Sequence, residues 1–142
     1  MELDDILTLI DDLGVGPIRD VGLLDSAAHR PQATVFGTDA YPTLDRKAAV
    51  LLESLVRNHA LIDGNKRLGW LATVVFYGLN DITIEAPDDD AYDLVIGIAS
   101  GVVGYQEAAL QLAPWTDRVT TLVSTESPFS PSNGGLNGLV PV

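Results

Sequence analysis

Two runs of apolar residues with helical period, Leu44 to His59 and Leu68 to Leu79, occupy the middle of this chain, and eight residues part them. In the first run Leu44, Ala48, Leu51, Leu52, Leu55, Val56 and His59 fall at i, i+3, i+4 spacings, which predicts one long amphipathic helix starting near Thr43. His59 continues its core-facing stripe. In the second run Leu68, Leu71, Ala72, Val75, Phe76 and Leu79 repeat the pattern to a stop near Gly78-Leu79-Asn80. Helical period also dominates the flanks. Leu3 to Ile10 predict a short helix ended by Gly14 and Gly16. Leu23 to Ala28 predict another, capped by Asp20 or Asp25 and stopped by Pro31. Gln32 to Pro42 reads as a loop or irregular hairpin. A short extended piece at Ile82 to Ile84 leads to Pro87, after which Asp88-Asp89-Asp90 are N-caps for a helix through Leu94 to Ala99. A further apolar segment runs from Val102 to Leu112, and Trp115 to Val123 form one more helix.

After Ser124 the composition turns to Ser, Pro, Gly and Asn, which predicts a domain over 1–123 and a flexible tail over 124–142. A chain of 142 residues is long enough for one core without staples, and it has no cysteine to make a disulfide. The longest uncharged apolar run is far short of the ~20 residues that span a bilayer. The start, Met-Glu-Leu-Asp-Asp, is acidic where a secretory signal is basic. A soluble cytoplasmic protein is the expectation. The net charge of −12, from 20 acidic and 8 basic residues, argues against non-specific binding to nucleic acid, which needs Lys and Arg to release counterions. An acidic body suits a basic partner.

The junction between the two main runs, His59-Ala60-Leu61-Ile62-Asp63-Gly64-Asn65-Lys66-Arg67, holds an imidazole, a carboxylate, an amide and two adjacent cations. A helix N-terminus already carries about half a positive charge, so Lys66 and Arg67 are misplaced there unless an anion sits on them. Free backbone N–H groups, two cations and a carboxylate make a phosphate site. In that reading His59 is a general base for an attacking hydroxyl, Asp63 a ligand for Mg2+, and Gly64 the point of close backbone approach. Asn65 adds polar contacts, while Lys66 and Arg67 neutralise phosphate charge. Three plainer readings stand beside it. Asp63-Gly64 is also a two-residue hairpin signal, though both flanks have helical period. The segment also serves as a simple helix connection with solvated cations, and His59 as a core histidine. Arg57, one turn upstream, is either a further pocket charge or a solvated arginine.

The pattern His-x-Leu-x-Asp-Gly-Asn-Lys-Arg resembles the motif of the Fic/Doc family, and most closely its Doc branch, the toxins of Phd–Doc toxin–antitoxin modules. Gly22-Leu23-Leu24-Asp25-Ser26-Ala27, Arg30-Pro31-Gln32, Tyr41-Pro42-Thr43-Leu44, Lys47-Ala48-Ala49 and Ile98-Ala99-Ser100-Gly101 extend the resemblance over about Asp4 to Trp115. The resemblance implies a compact all-α helical bundle, with the motif loop between two central helices and a short flap-like loop at Gln32 to Tyr41. It implies nucleotide phosphates at the second helix's start, with His59, Asp63 and Arg67 catalytic, Gly64, Asn65, Lys66 and Arg67 binding ATP, and Asp63 holding Mg2+. Relatives that transfer AMP usually carry Gly after the motif Asn and a second Arg three residues past the first. Lys66 and Trp70 stand at those positions here, which points toward the Doc-type kinase. That kinase moves the terminal phosphoryl of ATP onto a threonine of elongation factor Tu and is restrained by a Phd-like antitoxin. AMP transfer and a catalytically inactive antitoxin-binding domain are the alternatives. Leu61, in place of the usual Phe, is an anchoring core position.

Overall fold

The computed structural model describes residues 1–116, where the helical period becomes α1 (Leu3–Leu13), α2 (Val21–His29), α3 (Leu44–Arg57), α4 (Asn65–Leu79), α5 (Asp88–Ala99) and α6 (Tyr105–Leu112). Single 3-10 turns follow α2 and α6. A small antiparallel hairpin, β1 (Thr34–Val35) with β2 (Thr38–Asp39), sits between α2 and α3. The fold is therefore all-α with one short flap-like excursion. The expected helix at Trp115–Val123 fails where it can be seen: Trp115 closes a 3-10 turn and Thr116 is extended, bridging Ile84. The rest of that segment and the expected tail over 124–142 lie outside the described residues.

The central element is α3, which packs against α2, α4, α5 and α6. Its Leu51, Leu52 and Leu55 are at most 1% exposed. Burial of each contributes roughly 1.5–3 kcal/mol before packing is counted. The approach of α4 to α3 depends on Gly69, where an added Cβ would lie 2.7 Å from Val56 Cγ2. The helix starts obey simple capping chemistry. Thr43 Oγ1 accepts from the Arg46 N–H at 3.1 Å, and Asp20 Oδ1 accepts from the Leu23 N–H at 3.2 Å, while Asp25 lies inside α2. At α5 the cap position falls to Pro87, and the three aspartates occupy the first turn instead, where they complement the helix dipole.

Two features differ from the periodic reading. First, α3 stops at Arg57, so His59 leaves the buried stripe and is exposed. Second, Arg57 neither enters the junction nor stands free in solvent. It reaches the far end of α5, donating from Nε to Ile98 O at 2.9 Å and from Nη2 to Val103 O at 2.7 Å, and it pairs with Glu53 at 3.3 Å. A cation on the last carbonyls of a helix meets the dipole's negative end. The hairpin turns through Phe36 and Gly37, both with positive φ, and presents Phe36 fully to solvent. Its base is tied down by Lys47, which donates to Pro31 O at 3.1 Å and pairs with Asp39 at 3.3 Å.

Candidate active site

Between α3 and α4 the chain passes through seven residues, 58–64, and a second loop, between α1 and α2, braces them by backbone hydrogen bonds. Gly16 N–H donates to Asp63 O at 3.1 Å, Ile62 N–H to Pro17 O at 2.9 Å, and Arg19 N–H to Ala60 O at 2.7 Å. Leu61 forms a bridge with Ile18 rather than across Asp63-Gly64, so no hairpin exists there. Leu61 is 2% exposed and anchors the loop in the core. Gly64 is required twice over. Its φ is +96°, and a Cβ there would lie 2.5 Å from Val15 Cβ and Cγ1.

Asn65 locks the loop from within. Its Oδ1 accepts from the Leu61 N–H at 3.0 Å and its Nδ2 donates to Leu61 O at 2.9 Å, so the amide is engaged with the loop itself. No side chain caps α4. Its first helical bond from the junction runs from Leu68 N–H to Gly64 O at 2.9 Å, which leaves the preceding amides without an intrahelical acceptor.

The residues singled out from the sequence come together. His59, Asp63, Gly64, Asn65, Lys66 and Arg67 all line one cavity of about 300 Å³, closed by Val56, Ile62 and Ala99. The His59 imidazole makes no hydrogen bond to any described residue, and Lys66 has no ion pair among them. Arg67 Nη2 lies 3.6 Å from Asp63 Oδ2 with both side chains mostly exposed. Such a pair is worth at most about 1 kcal/mol, so it yields readily to a ligand that offers each partner a stronger one. A cationic helix start with open amides and an unpaired imidazole can hold a phosphate chain beside a proton acceptor.

A magnesium ion fits this donor set in one way. No group of three His, Cys, Asp or Glu is placed to hold a metal among the described residues. A single exposed carboxylate, Asp63, suits Mg2+, which keeps waters and shares phosphate oxygens rather than needing a protein cage. Trp70 stacks edge-on against Trp115 at 6.4 Å and lines a neighbouring cavity of about 490 Å³ with Leu71 and Tyr92. The bracing loop carries little local signal: Gly14 and Gly16 predict only the stop of α1, and the bonds to residues 60–63 exist only once the chain is folded.

A family model described as the Fic/DOC family matches residues 2–77, the stretch that contains the bracing loop, the hairpin and the motif. A protein of Mycolicibacterium smegmatis (strain ATCC 700084 / mc(2)155), Toxin Doc, is 46% identical to this chain over 117 residues, spanning 80% of this chain and 90% of the relative. The chain belongs to the Fic/DOC family.

Proposed function

We propose that this protein is the toxin of a toxin–antitoxin module and acts as a protein kinase. In this reading it transfers the γ-phosphoryl group of ATP to a threonine hydroxyl of a translation factor of the elongation factor Tu type. The observation that carries the reading is the convergence of His59, Asp63, Lys66 and Arg67 on one cavity at the uncapped start of α4. The likeness to Toxin Doc supports the toxin role and, with it, a Phd-like antitoxin as partner.

The amides at the start of α4 receive the phosphate oxygens, with Lys66 as a point charge and Arg67 as a bidentate fork. Asp63 would hold Mg2+, which neutralises charge on the phosphate oxygens when bound. His59 takes the proton from the target threonine as its oxygen attacks the γ-phosphorus. The P–O bond to the β-phosphate breaks, and ADP leaves. Such a transfer depends mainly on positioning and charge neutralisation, so these few side chains suffice. No helix among the described residues is long and apolar enough to cross a membrane. The proposed reaction places the protein in the cytoplasm, where ATP and the translation machinery are found.

The test is incubation of the full chain with elongation factor Tu and ATP labelled on either the γ-phosphate or the adenosine. Label from the γ position alone supports the kinase. Label from adenosine replaces it with AMP transfer, for which Trp70 offers no second cation. Transfer of neither label refutes phosphorylation of this target.

A further inference from the structure

We propose that Arg19, on the loop between α1 and α2, is a positioning residue that holds His59 in its working orientation; the inference rests on the reading of His59 as the proton acceptor. His59 sits at φ +52°, a left-handed conformation in which the Cβ of an ordinary L residue crowds the carbonyl oxygen that follows it. Something outside the local sequence must hold it there. Arg19 is the group in contact. Its Nε donates to His59 O at 2.8 Å, its Nη2 to Asn58 O at 3.3 Å, and its own backbone N–H to Ala60 O at 2.7 Å. Three successive carbonyls on the path from α3 into the motif therefore accept from one residue.

The choice of residue matters. A guanidinium presents two donors in a fixed plane, whereas an ammonium is a single point, so lysine cannot span both carbonyls in the same way. Those carbonyls follow the end of α3, where the helix dipole leaves partial negative charge. The chain has 8 basic residues against 20 acidic ones, yet Arg19 makes no ion pair with any described carboxylate. Its charge is directed to backbone oxygens instead. Arg19 does not line the 300 Å³ cavity, so it acts on the site through the backbone of residues 58–60, with His59 at their centre. Return of His59 to negative φ would re-aim its Cβ, and the imidazole with it, relative to the cavity that His59 lines.

The experiment compares the full chain with Arg19→Gln and Arg19→Lys. The sequence contains only two histidines, His29 and His59, so both imidazoles are resolved by NMR and assigned with His29→Gln. In Arg19→Gln the His59 ring signals are expected to move or broaden while those of His29 stay. The kcat for phosphoryl transfer falls about tenfold, about 1.4 kcal/mol in barrier, with KM for ATP unchanged. Arg19→Lys, which keeps the charge, recovers part of both. Unaltered His59 signals and kcat in Arg19→Gln overturn the proposal. So does a loss of kcat matched by a rise in KM with the His59 signals unmoved. Where Arg19→Gln fails to fold, Arg19→Lys decides: full kcat with native His59 signals overturns the proposal. If the wild-type chain transfers nothing from ATP, the kinase reading fails by itself, and the His59 signals still decide whether Arg19 holds the ring.

Discussion

Replacing Asn65 tests whether the motif loop is held from within. The side chain forms two bonds to one residue, accepting the Leu61 N–H at 3.0 Å and donating to Leu61 O at 2.9 Å. Leu61 is only 2% exposed, so water reaches those backbone groups poorly. Asn65→Ala strands one donor and one acceptor, and each buried group left unpaired costs about 1–3 kcal/mol. The bonds are only partly buried, so the low end of the range applies, about 1–1.5 kcal/mol for each group and about 2–3 kcal/mol in all. For a domain of this size that lowers Tm by roughly 6–15 °C. Asn65→Asp keeps the shape and the acceptor but sets a carboxylate oxygen against Leu61 O, so it destabilises by a similar amount. It also places a negative charge at the start of α4, the proposed phosphate site, so on that proposal ATP binding falls further in Asn65→Asp than in Asn65→Ala. Thermal unfolding by circular dichroism and ATP binding by calorimetry read the two effects separately. A Tm for Asn65→Ala within about 2 °C of wild type refutes the argument, since a loop that needs the amide cannot lose it so cheaply.

Gly64→Ala combines a strained φ with a Cβ 2.5 Å from Val15, so a loss of about 3 kcal/mol or more is expected in denaturant unfolding, only partly regained by adding Val15→Ala. Gly69→Ala forces α3 and α4 apart at Val56 and should cost about 1–3 kcal/mol, recovered in part by Val56→Ala in a double-mutant cycle. His59→Ala and Asp63→Ala are both at exposed positions, and each should abolish transfer from ATP with Tm unchanged; a His59→Ala protein of full activity would remove the general base from the account. The hydrogen bond that His29 Nδ1–H donates to the Asp25 carbonyl at 2.9 Å, and then the nearby Asp25 and Glu2 carboxylates, raise its pKa above the ordinary 6.5. The folded state then binds the proton more tightly, so this stabilisation is complete below pH 6.5 and fades as pH rises through the raised value. A wild-type minus His29→Gln stability difference that instead grows with rising pH contradicts that assignment.

The parts of the fold legible in the sequence are those governed by local chemistry. Apolar spacing located α3 and α4, Thr43 and Asp20 capped as hydroxyl and carboxylate side chains do, and the crowding of His59, Asp63, Lys66 and Arg67 marked the site. The rest depends on contacts far apart in the chain. Periodicity carried His59 into the helix because nothing nearby forbids it. What turns the backbone there is Arg19, 40 residues upstream. Asn65 read as a ligand group because an amide beside two cations suits phosphate, whereas its side chain meets Leu61, which only the closed loop brings into reach. Arg57 found carbonyls at 98 and 103 for the same reason, since the end of α5 is adjacent to α3 only after folding.

The central claim is that the cavity at the start of α4 passes a phosphoryl group, with His59 accepting the target's proton. Intact-mass spectrometry of elongation factor Tu, after incubation with ATP, Mg2+ and either the wild-type chain or His59→Ala, tests it most directly. The account predicts a single added phosphoryl mass on a threonine with the wild-type chain and none with His59→Ala. An added adenylyl mass, or a phosphoryl mass that persists in His59→Ala, contradicts it.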